Sequence, residues 1–400
     1  MRLLPLLAPL LVFGLVVFVH ELGHFLAAKA VGIYAPVFSL GWGRRVWGMR
    51  RGETDYRLSL FPLGGYVRMA SRDDESMAAF EGGGERGNLE SAAAANAAGK
   101  GETGVPWDET ALVPFGPRPV PSNRWFESKP LWAKLVVMLA GVTMNFLLAI
   151  VVLAGLRMTA GVANPDAVIG TVLPKSPAAS AGLLAGDSVI AIDAAPVAVW
   201  KDLVAIVTTK AGVPLQFRVV RAGSEVSLAV TPAATVDTNP QTGKVSSLGR
   251  IGAAGSRMRL GPIDAVRDGV ASTWGIVVQT VDVLGGLLTG KVSPKQLGGP
   301  LMIAQASVQT AQAGGLEAVL ALLALISVNI AVLNLLPVPV LDGGQILLAI
   351  LESARGKPLG DRAKGLIMYT GVGLVLLLLV TTTFNDLARI GTQLLGYFRS

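Results

Sequence analysis

The chain has 400 residues, of which 52% are hydrophobic and only 15% charged, and its mean hydropathy is +0.56. An ordinary soluble domain is about 45–50% apolar even with glycine counted, so this composition excludes that class and points to an integral membrane protein. The net charge of +7 calls for no nucleic-acid partner, because much of it lies in loops that set membrane orientation, and the absence of cysteine excludes disulfides and thiolate metal ligands.

Residues 1–31 read as a first transmembrane helix, uncharged from Leu3 to Val19 and apolar again from Phe25 to Ala28. Between these runs stands His20-Glu21-Leu22-Gly23-His24, which holds the only two histidines of the chain. Helical spacing of four puts both imidazoles on one face, where they can share a metal while Glu21 stands beside them as a base. A secretory signal cleaved near Ala28-Lys29-Ala30 would discard both histidines, and the apolar run is longer than a typical signal core.

Residues 32–70 alternate as short strands, at Val37 to Leu40, Arg45 to Trp47 and Tyr56 to Val67, and suggest a small sheet against the membrane. Residues 71–130 begin with Gly- and Ala-rich sequence to Pro121, too poor in large apolar residues for a core, and read as a flexible insert and linker. A second span follows at 131–158. In it Gly141-Val142-Thr143-Met144-Asn145 sets a small residue four before an amide, which suits close helix packing.

Residues 159–240 alternate strand and helix patterns and read as one small module, with strands near 168–173, 188–192, 215–221 and 225–231 and helices opening at Ser176-Pro177 and at Trp200. Residues 241–315 read as an extracytoplasmic linker with amphipathic interfacial helices, because Asp264, Arg267, Asp268 and Asp282 interrupt the apolar run from Pro262 to Gly290. A third span at 316–344 ends in Asn334-Leu335-Leu336-Pro337-Val338-Pro339-Val340-Leu341-Asp342-Gly343-Gly344, where Pro337, Pro339 and the glycines should loosen the helix. A loop at 345–364 and a fourth span with the tail at 365–400 complete the chain.

Basic residues orient the spans. Arg44, Arg45, Arg50, Arg51, Arg124 and Lys129 in the first loop, and Arg355, Lys357, Arg362 and Lys364 in the third, place both loops in the cytoplasm. The N-terminus, the middle module and the C-terminus then lie outside, and anionic membrane lipid is the simplest partner for the charge. Four spans run the first and third in the same direction, bringing His20, His24 and Asp342 to similar depth. A catalytic zinc takes three protein ligands and keeps an open position; with no third histidine, Asp342 is the candidate third ligand. Asn329 and Asn334 stand five apart and either hydrogen-bond a substrate backbone or tie helices together.

With these motifs in this order, together with Pro62-Leu63-Gly64-Gly65-Tyr66-Val67 and Gly298-Gly299-Pro300, the chain resembles the site-2 protease family of intramembrane zinc metalloproteases, within it the bacterial RseP group. The resemblance implies a polytopic α-helical membrane protein of the bacterial inner membrane, with four transmembrane helices, an inserted extracytoplasmic PDZ-like α/β domain and a small cytoplasmic membrane-associated β-region. It implies Zn2+ on His20, His24 and Asp342, Glu21 as catalytic acid/base, and Asn334 on the substrate backbone. Gly64, Gly65 and Tyr66 would lie by a sheet edge to which an extended substrate adds, while Gly141, Asn145, Pro337 and Pro339 stay structural. The implied substrates are single-span membrane proteins, such as anti-sigma factors or remnant signal peptides, already cut by another protease. The chain departs from the group in having length for one PDZ-like domain, and in the 71–121 insert. An inactive PDZ scaffold and a metal transporter are the alternatives; the intact Glu21 argues against the first, and transport should survive Glu21→Gln better than proteolysis.

Overall fold

The computed structural model describes residues 3–70, 122–238, 245–293 and 298–399, so the insert expected at 71–121 lies outside the described residues. The described chain divides into two compact units, one from Met1–Ala154 with Val266–Ser400 and one from Gly155–Ala265.

Helix α1 (Leu4–Ala30) starts with a proline in its first turn and ends with Lys29 in its last, where a cation suits the negative end of the helix dipole. Its buried face repeats every fourth residue through Ala8, Val12, Val16, His20 and His24, so one stripe both packs the bundle and presents the imidazoles. Strands β1 (Val37–Arg51) and β2 (Thr54–Arg68) pair antiparallel, and each bends on itself. Val37 to Leu40 thereby pairs with Asp55 to Leu58 on one side and with Gly65 to Arg68 on the other. The short strands read from the sequence are segments of this one folded hairpin. Its turn is tied back by Glu53, which is bonded to Lys29 of α1 and receives Arg124 at 2.7 and 2.9 Å. Partial burial pushes the Glu53 carboxyl upward, but Arg124 and Lys29 outweigh it and hold the group below its ordinary value.

Helix α2 (Leu131–Thr159) runs antiparallel to α1 and leads into the second unit. This unit holds β3 (Val162–Ala163), β4 (Ile169–Val172), α3 (Pro177–Ser180), β5 (Ser188–Ile192), β6 (Ala195–Pro196), α4 (Trp200–Thr209), β7 (Leu215–Arg221), β8 (Ser224–Val230), β9 (Ala233–Thr238), β10 (Val245–Arg250), β11 (Ala253–Gly255) and β12 (Arg257–Met258). A four-stranded sheet in the order β6-β5-β7-β8 packs Val189, Ile192, Phe217 and Val219 against Leu203 and Val207 of α4. Alternating apolar residues made these elements legible, but the module does not end at 240. Strand β11 pairs with β4, β12 pairs with β3, and Ile251 is buried in the same core, so the stretch read as linker closes the unit.

The Asp187–Arg221 ion pair in this unit is buried enough to act on stability. The Asp187 carboxylate, 1% exposed, accepts Arg221 Nε and Nη2, both at 2.7 Å, and the Leu184 amide at 2.9 Å. The Arg221 hydrogen bonds are the main reason that the Asp187 carboxyl is held below its ordinary value. A carboxyl depressed in the folded state contributes stability that is complete above its unfolded value of about 3.9, and this is lost as pH falls through the folded value. Arg221→Ala in the full chain is therefore expected to speed hydrogen exchange in β5 and β7 at neutral pH, with the difference from wild type fading below pH of about 4. Equal exchange in the two proteins at neutral pH would remove the pair from the stability account.

Helix α5 (Pro262–Leu288) is one of five described helices long and apolar enough to cross a membrane, with a hydropathy of 1.3 against 2.1–2.6 for the others. The sequence reading laid it in the interface, apart from the spans. It packs on the bundle, with Ile276, Val277 and Leu284 against Ala149 and Leu153 of α2 and against Ala324, Val328 and Val332 of the next helix, α6 (Pro300–Asn334). Three of its four interrupting charges, Asp264, Arg267 and Asp268, fall in the first two turns, leaving only Asp282 farther along. Gly269 backs onto Ile150 and Ala154, and Thr280 donates to Asn329 at 2.7 Å, so α5 runs antiparallel to α2 and in the same direction as α6.

Helix α6 bends at Gly315, whose φ of 61° is open to glycine and strained for other residues. Its packing with α1 is parallel. Ala8, Val12 and Val16 share a cluster with Ala311, Val319, Leu323 and Ile326, and His20 meets Asn334 farther along both helices. The chain then makes a tight loop from Leu335 to Leu341, and α7 (Asp342–Arg355) and α8 (Asp361–Arg399) follow. The loosening expected at Pro337 and Pro339 is thus a complete break, and Asp342 heads a new helix. Gly371 of α8 packs on Pro339, while about four turns later Asp386 accepts the amides of Gly299 and Met302 at 3.1 and 3.0 Å.

Candidate active site

The site is built on the buried stripe of α1. His24 Nδ1 donates to the Val137 carbonyl of α2 at 2.8 Å, so in its neutral form the ring leaves Nε2 bare. That bare nitrogen stands 3.1 Å from His20 Nε2 and 3.5 Å from Asp342 Oδ1, and His20 Nε2 lies 3.3 Å from Asp342 Oδ2. Lone pairs converging at these distances in a buried place repel unless a cation sits among them. Among the described residues, Asp342 Oδ2 is buried without a hydrogen-bond partner.

Asp342 is delivered here by the break after α6. Added Cβ atoms at Gly343 and Gly344 would strike the loop backbone, at 2.6 Å from Leu336 O and 2.6 Å from Pro339 Cα, so only glycine lets the loop close over the start of α7. Gln345 Nε2 donates to the Pro339 carbonyl at 2.7 Å and fixes the loop from the other side. The sequence reading missed Gln345; its place one turn into the helix headed by Asp342 was the available signal.

Glu21 points into a cavity of about 550 Å³ that it shares with His20, His24, Asp342, Asn334 and the Gly65 to Val67 stretch of β2. A Cβ at Gly65 would come within 3.5 Å of Glu21 Cγ and 2.7 Å of the Ser39 carbonyl. Gly64 takes φ +110° and leaves room for Trp42, whose ring lies 6.0 Å from that of the buried Tyr66. Trp42, also on the cavity wall, carried no signal in the sequence, because its approach depends on the bend in β1. Asn334 Nδ2 is 3.1 Å from His20 Nε2. Asn329 has its carboxamide oxygen taken by Thr280 of α5, the interhelical arrangement of the two that its sequence allowed.

On α2, Gly141 and Asn145 flank the histidines. A Cβ at Gly141 would lie 2.8 Å from the Cε1 atoms of both rings, and the Asn145 carboxamide is 3.3 Å from His20 Nδ1.

The model of peptidase family M50 matches residues 8–378, which contain all of these side chains. The chain belongs to peptidase family M50. Among curated proteins it is 35% identical to a zinc metalloprotease of Agrobacterium fabrum, with 95% of each chain covered. It is 32% identical to the zinc metalloprotease RasP of Geobacillus kaustophilus, covering 95% of this chain and 97% of the relative. The regulator of sigma-W protease RasP of Bacillus subtilis is 29% identical, with 96% and 98% covered. As an M50 peptidase of the site-2 type, the chain is a membrane metalloendopeptidase, and the long apolar helices fit that class.

The M50 assignment implies a zinc ion, and the donor set can be tested for it. Tetrahedral zinc with bonds of about 2.0–2.1 Å sets its ligand atoms about 3.3–3.4 Å apart. The His20 Nε2–His24 Nε2 and His20 Nε2–Asp342 Oδ2 separations, 3.1 and 3.3 Å, lie close to that edge, the other Asp342 oxygen stands 3.5 Å from His24 Nε2, and the orphaned Oδ2 supplies the unsatisfied acceptor. Two imidazoles and one carboxylate are also a common set for a catalytic zinc that keeps one position open. The residues fit the ion.

Proposed function

We propose that this M50 peptidase hydrolyses peptide bonds in the transmembrane segments of single-span membrane proteins, with one zinc held by His20, His24 and Asp342 and with Glu21 as acid/base. The observation that carries the reading is the convergence of these four side chains, from two separate parts of the chain, on one cavity beside the β2 stretch Gly65 to Val67. When bound, the zinc supplies Lewis acidity that polarises a peptide carbonyl and activates water. Glu21 accepts the proton of the attacking water and delivers it to the leaving amine. Asn334, within reach of the same cavity, holds the substrate backbone.

The Gly65 to Arg68 segment has one strand neighbour, Val37 to Leu40, among the described residues. Its other edge offers backbone groups to an extended substrate, with Gly64, Gly65 and Tyr66 as the contact surface. A substrate helix must unwind to be cut, and pairing with this edge offsets part of that cost.

The parallel course of α1 and α6 supports a topology of four net crossings with the site near the cytoplasmic leaflet of the inner membrane. Because α5 runs in the same direction as α6, the two are not successive crossings joined by a tight turn. On this topology the N-terminus, a PDZ-like second unit and the C-terminus lie outside. Exposed Trp47 and Phe61, on the same hairpin as the exposed Arg44 and Arg51, suit an anionic lipid surface. The sigma-W regulator among the relatives supports anti-sigma factors as the substrate class, and the PDZ-like unit would favour substrates trimmed by a first protease.

Asp342→Asn tests the reading. Purified without chelator and reconstituted with a tagged single-span substrate, the variant is expected to lose at least about 90% of bound zinc and all measurable cleavage, because an amide is a far poorer zinc ligand than a carboxylate. Unchanged zinc content and activity would overturn the assignment.

A further inference from the structure

On α2, Val137, Gly141 and Asn145 recur every fourth residue, so one face of this helix lies against both histidines of α1. At its two ends this face meets the ring nitrogens that point away from Asp342. The Val137 carbonyl takes His24 Nδ1 at 2.8 Å, and the Asn145 carboxamide stands 3.3 Å from His20 Nδ1. Asn145 is fully buried, and its Oδ1 has no hydrogen-bond partner among the described residues.

With the amide nitrogen of Asn145 facing His20 Nδ1, that ring nitrogen has to be bare, and the proton goes to Nε2. There it would confront the amide donor of Asn334 at 3.1 Å and could not bind a metal. Turning the Asn145 carboxamide by half a turn exchanges two atoms of nearly equal size and brings the oxygen to Nδ1. The orphaned oxygen gains a donor, and His20 Nε2 becomes bare toward His24 and Asp342.

We propose that Asn145 is a positioning residue whose carboxamide oxygen accepts a hydrogen bond from His20 Nδ1–H, fixing the tautomer and ring orientation that present Nε2 to the metal. Val137 does the same for His24 through its backbone, so this face of α2 is the outer shell of the metal centre. Such partners raise ligand basicity and orient the ring, and losing one typically costs about 10–100-fold in metal affinity. The inference rests on the metal reading proposed above.

The experiment measures zinc affinity of the full-length protein in detergent by competition with a chelating dye, and records the visible spectrum of the cobalt-substituted protein. Asn145→Ala and the near-isosteric Asn145→Leu both remove the acceptor and are expected to weaken zinc about 10–100-fold and to shift the cobalt bands. Asn145→Asp keeps an acceptor for Nδ1–H and is expected to stay within roughly threefold of wild type. Ser327→Ala controls for packing alone, because among the described residues that hydroxyl donates to the Asn145 backbone carbonyl, at 2.8 Å, and affinity should not change. Wild-type affinity in both Asn145→Ala and Asn145→Leu, or an equal loss in Asn145→Asp or Ser327→Ala, overturns the inference and leaves the metal reading standing. A wild-type protein that takes up neither zinc nor cobalt overturns both.

Discussion

Glu21→Gln is expected to lower cleavage of a single-span substrate by more than about a hundredfold while zinc content stays at the wild-type level. The two effects separate because Glu21 shares the cavity with the three proposed ligands, His20, His24 and Asp342, but is not one of that cluster, whose candidate ligand atoms lie within 4.8 Å of one another. Glutamine has nearly the same volume, so the packing of α1 is undisturbed. What it lacks is a basic oxygen to take the proton of water, and a positioned acid/base group contributes about 10²–10⁴ in rate. The assay is cleavage in proteoliposomes, with metal measured on the same samples. Cleavage retained within a few-fold would remove Glu21 from the chemistry, and zinc lost together with activity would make it a ligand or a structural support.

Gly141→Ala is expected to empty the metal site, with zinc affinity falling at least about a hundredfold and activity following it. The added methyl would lie 2.8 Å from the Cε1 atoms of His20 and His24, closer than carbon atoms pack. His24 has little freedom to move aside, since its Nδ1 is bonded to Val137 on the same helix as the new methyl, so relief would have to come from parting α1 and α2. That seam is already close at Gly23, where a Cβ would meet the Ala140 carbonyl at 2.5 Å. Gly155→Ala, on the same helix with nothing within 4 Å, is the control and should leave metal binding and cleavage intact. Zinc bound normally by Gly141→Ala would show that the helices yield at little cost.

The two variants lie on opposite sides of what the sequence could convey. His20, Glu21 and His24 stood out as candidates because helical spacing alone puts both imidazoles on one face, and because ionisable groups inside an apolar run are costly enough to need a purpose. Asp342 was put forward by elimination and by a direction argument, and in the structure its carboxylate lies 3.3 Å from His20 and 3.5 Å from His24. Gly141 and Asn145 were read as a helix-packing motif, since nothing local says which helix they pack against or that its contact surface is a pair of imidazole rings.

The apolar spans, the HExxH helix and most strands of the second unit were determined by sequence alone, because hydropathy, helical period and strand alternation are local properties. Tertiary structure decided the rest. It joined the Val245 to Met258 strands to β4, β9 and β3, folded β1 and β2 so that Gly65 faces Glu21, laid α5 along α2 and α6, and paired Asn329 with Thr280. Each of these depends on contacts between residues far apart in the chain. A backbone edge, a carbonyl or a missing side chain acquires its role only when the partner that needs it arrives.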